Sequence, residues 1–137
     1  YMKSLMGRPI KEEQIWTFFI KMCIGLRDIH KQRTLHRDIK AANIFLTKND
    51  DIRIGDLGVA KQLQEDFTST IVGTPLYLSP EICEGKSYNQ KTDIWSLGCV
   101  LYQLCTGKYP FEAENKKELD IKIITGKYQP IPTRYSQ

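Results

Sequence analysis

Between His36 and Gly58 the chain sets two acids, a lysine and an amide along one short span: His36-Arg37-Asp38-Ile39-Lys40-Ala41-Ala42-Asn43, then Asp56-Leu57-Gly58. These residue types suit chemistry on a phosphate held by a divalent cation. One carboxylate can meet the proton of an incoming hydroxyl. A second carboxylate and an amide oxygen are ligands that a hard cation such as Mg2+ accepts. A lysine can neutralise phosphoryl charge. A lone Asp is more often a helix cap or a turn residue, and Asp-Leu-Gly alone a turn after a strand, so the rest of the chain must decide.

The elements that must position this span are legible on either side of it. A long helix is expected over Lys11 to Lys31, with Glu12 and Glu13 favourable in its first turn. Ile15, Phe19, Met22, Leu26 and Ile29 recur at spacings of three and four, and Trp16, Phe18, Ile20 and Ile24 add apolar faces, which predicts burial on more than one side. Thr34 to Asn43 has no period and reads as a loop. Ile44-Phe45-Leu46 and Ile52-Arg53-Ile54 read as a hairpin around Lys48-Asn49-Asp50-Asp51, with the reactive residues in the loops at its outer ends. Gln62 to Tyr77 reads as a long, functional loop carrying Thr68-Ser69-Thr70. Ser79-Pro80-Glu81 opens a short helix. Asp93 to Cys105 is apolar nearly all round and is expected as a fully buried helix ended by Gly107. A last helix is expected over Asn115 to Thr125 with Leu119, Ile123 and Ile124 inward; Tyr1 to Leu5 reads as the end of another.

The 137 residues suffice for one domain with a sizeable core. Twenty basic and 16 acidic residues give a net charge of +4 with no block of like charge, which argues against a nucleic-acid surface. No apolar run could span a membrane, so no membrane insertion is expected. Cys23, Cys83, Cys99 and Cys105 form no C-x-x-C pair; Cys23, Cys99 and Cys105 sit among apolar residues and read as reduced, buried thiols of an intracellular, cytoplasmic protein, with cytoskeletal or nuclear association left open. The start at Tyr1 suggests a piece of something longer.

Five blocks now stand in one order: His36 to Asn43, Asp56 to Gly58, Gly73-Thr74-Pro75, Ser79-Pro80-Glu81, and Asp93-Ile94-Trp95-Ser96-Leu97-Gly98. Together they resemble the large, C-terminal lobe of a eukaryotic protein kinase over the whole chain. Asn43-Ile44-Phe45-Leu46, Gly73 to Glu81, Asp93 to Cys99, Gly126-Lys127-Tyr128 and Ile131-Pro132 look most like the NIMA-related serine/threonine kinases, although neighbouring subfamilies share parts of the pattern. The resemblance implies a fold that is mainly α with a short β-hairpin, the helical lobe of a partial kinase domain. Within it lie a catalytic loop at 36–43, an activation segment at 56–81 and a central helix at about 93–105.

It also implies roles. Asp38 would take or orient the substrate hydroxyl proton, with Lys40 beside the transferred phosphate. Lys40, Asn43, Phe45 and Asp56 would bind ATP, Phe45 as the floor under adenine and Asn43 and Asp56 through Mg2+. His36 and Leu57 resemble packing residues of an internal spine, and Asp93 would tie its helix to the catalytic loop. Thr70 is the candidate regulatory phosphosite, modified by an activating kinase or by trans-autophosphorylation and read by Arg37; Thr74 belongs to the substrate-side loop. The partners implied are ATP and proteins with serine or threonine hydroxyls. Ile39, Leu57 and Ser79 stand where the family more often has Leu, Phe and Ala. No glycine-rich loop, lysine strand or partner glutamate helix is visible, so the small lobe is expected to be missing and the free 137-residue chain to have little or no activity. The alternative is a truncated, catalytically inactive kinase-like binding or scaffold module.

Overall fold

A computed structural model describes residues 9–49, 51–55, 58, 61–62 and 75–136. Asp56, Leu57, Thr70 and Thr74 lie outside the described residues, as does the helix end expected over Tyr1 to Leu5.

The long amphipathic run folds as α1, Glu12–Lys31, with Lys11 as its N-cap and the two glutamates in its first turn. Its buried line is Ile15, Phe18, Met22 and Leu26. Phe19 and Ile29 are only half-buried. The expectation of burial on several sides is corrected: Trp16, Ile20 and Ile24 are about half exposed, at 49%, 54% and 45%, and form an outer stripe at i, i+4, i+8. Apolar residues surround this helix, but the described residues pack on one side of it.

The hairpin forms as expected from β2, Ile44–Leu46, and β3, Ile52–Ile54, antiparallel with Phe45 opposite Arg53. The Thr47 hydroxyl accepts from Asp51 N at 3.1 Å and closes its turn. A second ladder pairs β1, Thr34–Leu35, with β4, Lys61–Gln62. Thr34, Leu35 and Gln62 were expected as loop. Two residues are too few to show an alternating pattern, and their partner lies beyond the hairpin, so no local signal marks them.

The short α2, Pro80–Cys83, opens at Ser79 as expected. The next helix, α3, runs Lys91–Thr106, longer than expected by a residue or two at each end. Cys99, Val100 and Leu104 join the α1 residues in the main core. The helix is not buried all round: Ile94 is 50% exposed and Leu101 half-buried. Last comes α4, Lys116–Thr125, whose N-cap Asn115 accepts from Glu118 N at 2.9 Å. Leu119 and Ile123 point inward against Phe111, but Ile124 is 42% exposed, contrary to expectation. Gly107 and Gly126 end α3 and α4 at φ 73° and 65°, a left-handed conformation that costs glycine little.

All four cysteines are free thiols; Cys99 and Cys105 are buried, Cys23 and Cys83 half-buried. Burial pushes the Cys99 thiol up to about 12, and burial with nearby Asp120 pushes Cys83 up to about 11, from an ordinary 9.0. Thiols whose folded pKa is raised leave stability intact below the unfolded pKa and weaken it as pH rises past that value. Urea midpoints should therefore match at pH 6 and 7.5 and fall progressively between pH 9 and 11. At pH 8, Cys99 should alkylate far more slowly in the native protein than in urea.

Candidate active site

The loop between β1 and β2 is built on backbone geometry that few residues adopt. Arg37 has φ +65°, a left-handed conformation that costs a non-glycine residue of order 1–3 kcal/mol. What holds it is Asp93, fully buried in the first turn of α3. The Asp93 carboxylate accepts from Arg37 N at 2.9 Å and from His36 N at 3.0 Å. His30, near the end of α1, donates from Nε2 to the same carboxylate at 2.7 Å. His30 is in turn fixed by Gln90, whose side chain donates to its carbonyl at 3.0 Å. One buried acid thus joins α1, α3 and the loop. The expected tie from Asp93 to this loop is present; His30 was missed, because nothing local relates residues 63 apart.

His36 is buried and packed, as expected of a spine residue, and it also carries two directional bonds. Its Nε2 lies 3.0 Å from Gly55 O, a pure acceptor, so Nε2 bears the hydrogen. Asp38 N donates to its Nδ1 at 3.3 Å, so Nδ1 is bare. His36 is therefore a neutral imidazole that links the backbone of Asp38 to Gly55, the residue preceding Asp56. It is not placed as a general base.

Beyond His36 the chain turns through a short 3-10 helix, Ala41–Asn43. That turn brings Asn43 back onto Asp38. The Asn43 amide nitrogen donates to Asp38 O at 2.9 Å and to Asp38 Oδ2 at 3.0 Å. Lys40 Nζ pairs with the same Oδ2 at 2.6 Å. The Asp38 side chain is only 12% exposed and that of Lys40 25%, so the pair is mostly shielded from water. Three of the expected site residues therefore meet at one carboxylate. Asn43 reaches Asp38 through its amide nitrogen, and its Oδ1 is an oxygen of the kind a hard cation accepts. No cluster of three or more His, Cys, Asp or Glu side chains suited to a metal occurs among the described residues.

Phe45 lies beyond Asn43 on β2, half-buried, and Asn43 O accepts from Gly55 N at 2.9 Å across the hairpin. A Cβ at Gly55 would stand 2.5 Å from Phe45 Cε2 and 3.1 Å from Cδ2. Gly55→Ala should therefore displace the Phe45 ring and destabilise the protein by about 1–3 kcal/mol, read from urea unfolding. A change below about 0.5 kcal/mol would show that the ring moves aside freely.

A second missed residue is Tyr77, in the 3-10 turn Pro75–Tyr77. Its hydroxyl donates to Gln103 Oε1 of α3 at 2.6 Å. Burial, reinforced by Tyr109, pushes this phenol well above the ordinary tyrosine range, so it stays a donor. Its ring meets Tyr109 edge-on at 5.7 Å. The turn at 75–77 is thereby fastened to α3.

The protein kinase domain family matches residues 2–136 of this chain. The chain is 51% identical over 132 residues to serine/threonine-protein kinase Nek1 of Mus musculus, covering 95% of this chain and 11% of that protein. It is 48% identical over 136 residues to Nek3 of the same organism, covering 98% and 27%. Against Nek5 of Homo sapiens the identity is 51% over 134 residues, covering 96% and 19%. The chain thus spans between about a tenth and a quarter of the length of these curated relatives. Matched along nearly all its residues, this chain belongs to the protein kinase family and is similar to its NIMA-related serine/threonine members.

Proposed function

We propose that this chain carries the catalytic loop of an intracellular serine/threonine protein kinase that transfers the γ-phosphate of ATP to protein hydroxyls. The observation that carries the reading is the Asp38 carboxylate, held by Asn43 at 3.0 Å and by Lys40 at 2.6 Å within one turn of chain. The carboxylate accepts the proton of a serine or threonine hydroxyl as its oxygen bonds to the γ-phosphorus and the bond to the bridging oxygen of ADP breaks. Lys40, already beside that carboxylate, offsets the negative charge of the phosphoryl group in transfer. Asn43 orients Asp38 through its amide nitrogen. Asn43 and Asp56 would hold Mg2+, which when bound draws charge from the phosphates. Phe45 would lie under the adenine ring. In the same reading Thr70 accepts an activating phosphate, from another kinase or a second copy, which Arg37 pairs with, and Thr74 lines the substrate side.

Titrating Mg2+ at saturating ATP tests the metal assignment in the whole protein that carries this chain. Phosphate transfer should require Mg2+, and Asn43→Ala should need a several-fold higher concentration for half-maximal rate. An unchanged Mg2+ dependence would remove Asn43 from the metal site.

A further inference from the structure

Trp16, Ile20 and Ile24 turn away from the core and stand about half exposed along one line of α1. Three residues beyond each end of that line is an exposed charge, Glu13 before Trp16 and Arg27 after Ile24. The line 13, 16, 20, 24, 27 therefore has the same spacing from either end, centred on Ile20, and its two ends carry opposite charge. The Glu13 carboxylate pairs with no cation among the described residues. Arg27 holds Asp28 through Nε at 3.1 Å and Nη2 at 3.0 Å, which leaves Nη1 to meet a second carboxylate. Beside Arg27 the apolar surface continues onto α3, where the exposed Ile94 shares a groove with Cys23 and Arg27. Apolar side chains aligned in this way, unlike ones scattered singly, mark a surface that another molecule covers.

We propose that the outer stripe of α1 pairs two copies of this chain, antiparallel, about a two-fold axis through Ile20. The symmetry of the stripe is what favours a second copy. In an isologous pair each residue meets its counterpart across the axis. Ile20 then packs on the partner's Ile20, Trp16 on the partner's Ile24, and Glu13 lies beside the partner's Arg27. A parallel pair would set Glu13 against Glu13 and Arg27 against Arg27. The antiparallel pair also sets the two helix dipoles in opposition, which is the favourable arrangement. The like charges nearest the two ends are already engaged: Glu12 accepts from Ser136 N at 2.9 Å and from Trp16 Nε1 at 3.3 Å, and Asp28 is held by Arg27. The pairing does not depend on the kinase reading. Where both hold, it keeps two copies together for transfer from one to the other.

Sedimentation equilibrium of the whole protein that carries this chain tests the pairing. Wild type should dimerise in the micromolar range, more weakly as salt is raised. Ile20→Glu sets two carboxylates against each other on the axis and should weaken the dimer by about tenfold or more. Its urea midpoint should stay as in wild type, because the side chain is exposed. Glu13→Arg or Arg27→Glu alone should weaken the dimer about three- to tenfold, and the double reversal should return to within about twofold of wild type. A protein that stays monomeric through the micromolar range, a dimer that survives Ile20→Glu, or a double reversal that stays weak would overturn the proposal. So would a monomer whose Trp16 is shielded from a soluble quencher, which would give the stripe to another segment of the whole protein.

Discussion

Asp38→Asn should lower the rate of phosphate transfer by roughly 10²–10⁴-fold, the usual worth of a placed general base, while leaving ATP affinity nearly unchanged. Asparagine keeps the size of the side chain and an oxygen that can accept from Lys40 and from the Asn43 amide, so the turn should keep its shape. What it loses is the ability to take a proton. The effect should therefore fall on kcat at equal KM for ATP, and thermal unfolding should be unaltered. A loss of less than about tenfold would mean that the hydroxyl is ionised by another route and that Asp38 serves as a structural acid.

The second large effect is expected at Asp93. Asp93→Ala removes the acceptor for the backbone N–H groups of His36 and Arg37 and for His30 Nε2. Leaving the two buried N–H groups unpaired costs about 1–3 kcal/mol each, so urea unfolding should show a loss of about 2–6 kcal/mol. Arg37 also loses what holds its left-handed backbone at φ +65°, and the loop should relax toward an ordinary conformation. Asp93→Asn should lie between. One oxygen still accepts, but its amide donors face either His30 or a backbone N–H, and one bond is lost. Activity should fall in both variants, with kcat reduced more than KM for ATP, because Asp38 follows the backbone of Arg37. An Asp93→Ala protein within about 0.5 kcal/mol of wild type would show that the loop holds its shape unaided.

The sequence made one part of this site readable and hid another. Asp38, Lys40 and Asn43 lie within six positions, and a single short turn must bring them together. Their types then suffice to suggest the chemistry. The hairpin was equally plain, because β-prone triplets flank a polar turn. His30 and Asp93, 63 residues apart, meet only because α1 packs on α3, and Ser79 and Thr92 meet only because the turn at 75–77 packs on α3. No local pattern encodes such meetings. The faces of α1 misled for a different reason. With apolar residues on every side, spacing cannot choose between Phe18 and Phe19, nor say that Trp16, Ile20 and Ile24 remain on the outside. Packing makes that choice, and packing depends on the neighbours. The β1–β4 ladder is a third case, two short segments that pair without any alternation in their residues.

The proposed chemistry rests on one carboxylate, so the most direct test follows the labelled γ-phosphate of ATP into a protein substrate. Whole protein carrying this chain, with Mg2+, should place label on serine and threonine, and the Asp38→Asn protein, folded and still binding ATP, should place almost none. Label on tyrosine, no label from a folded, ATP-binding wild-type protein, or equal labelling by the two proteins would contradict a serine/threonine kinase built on Asp38.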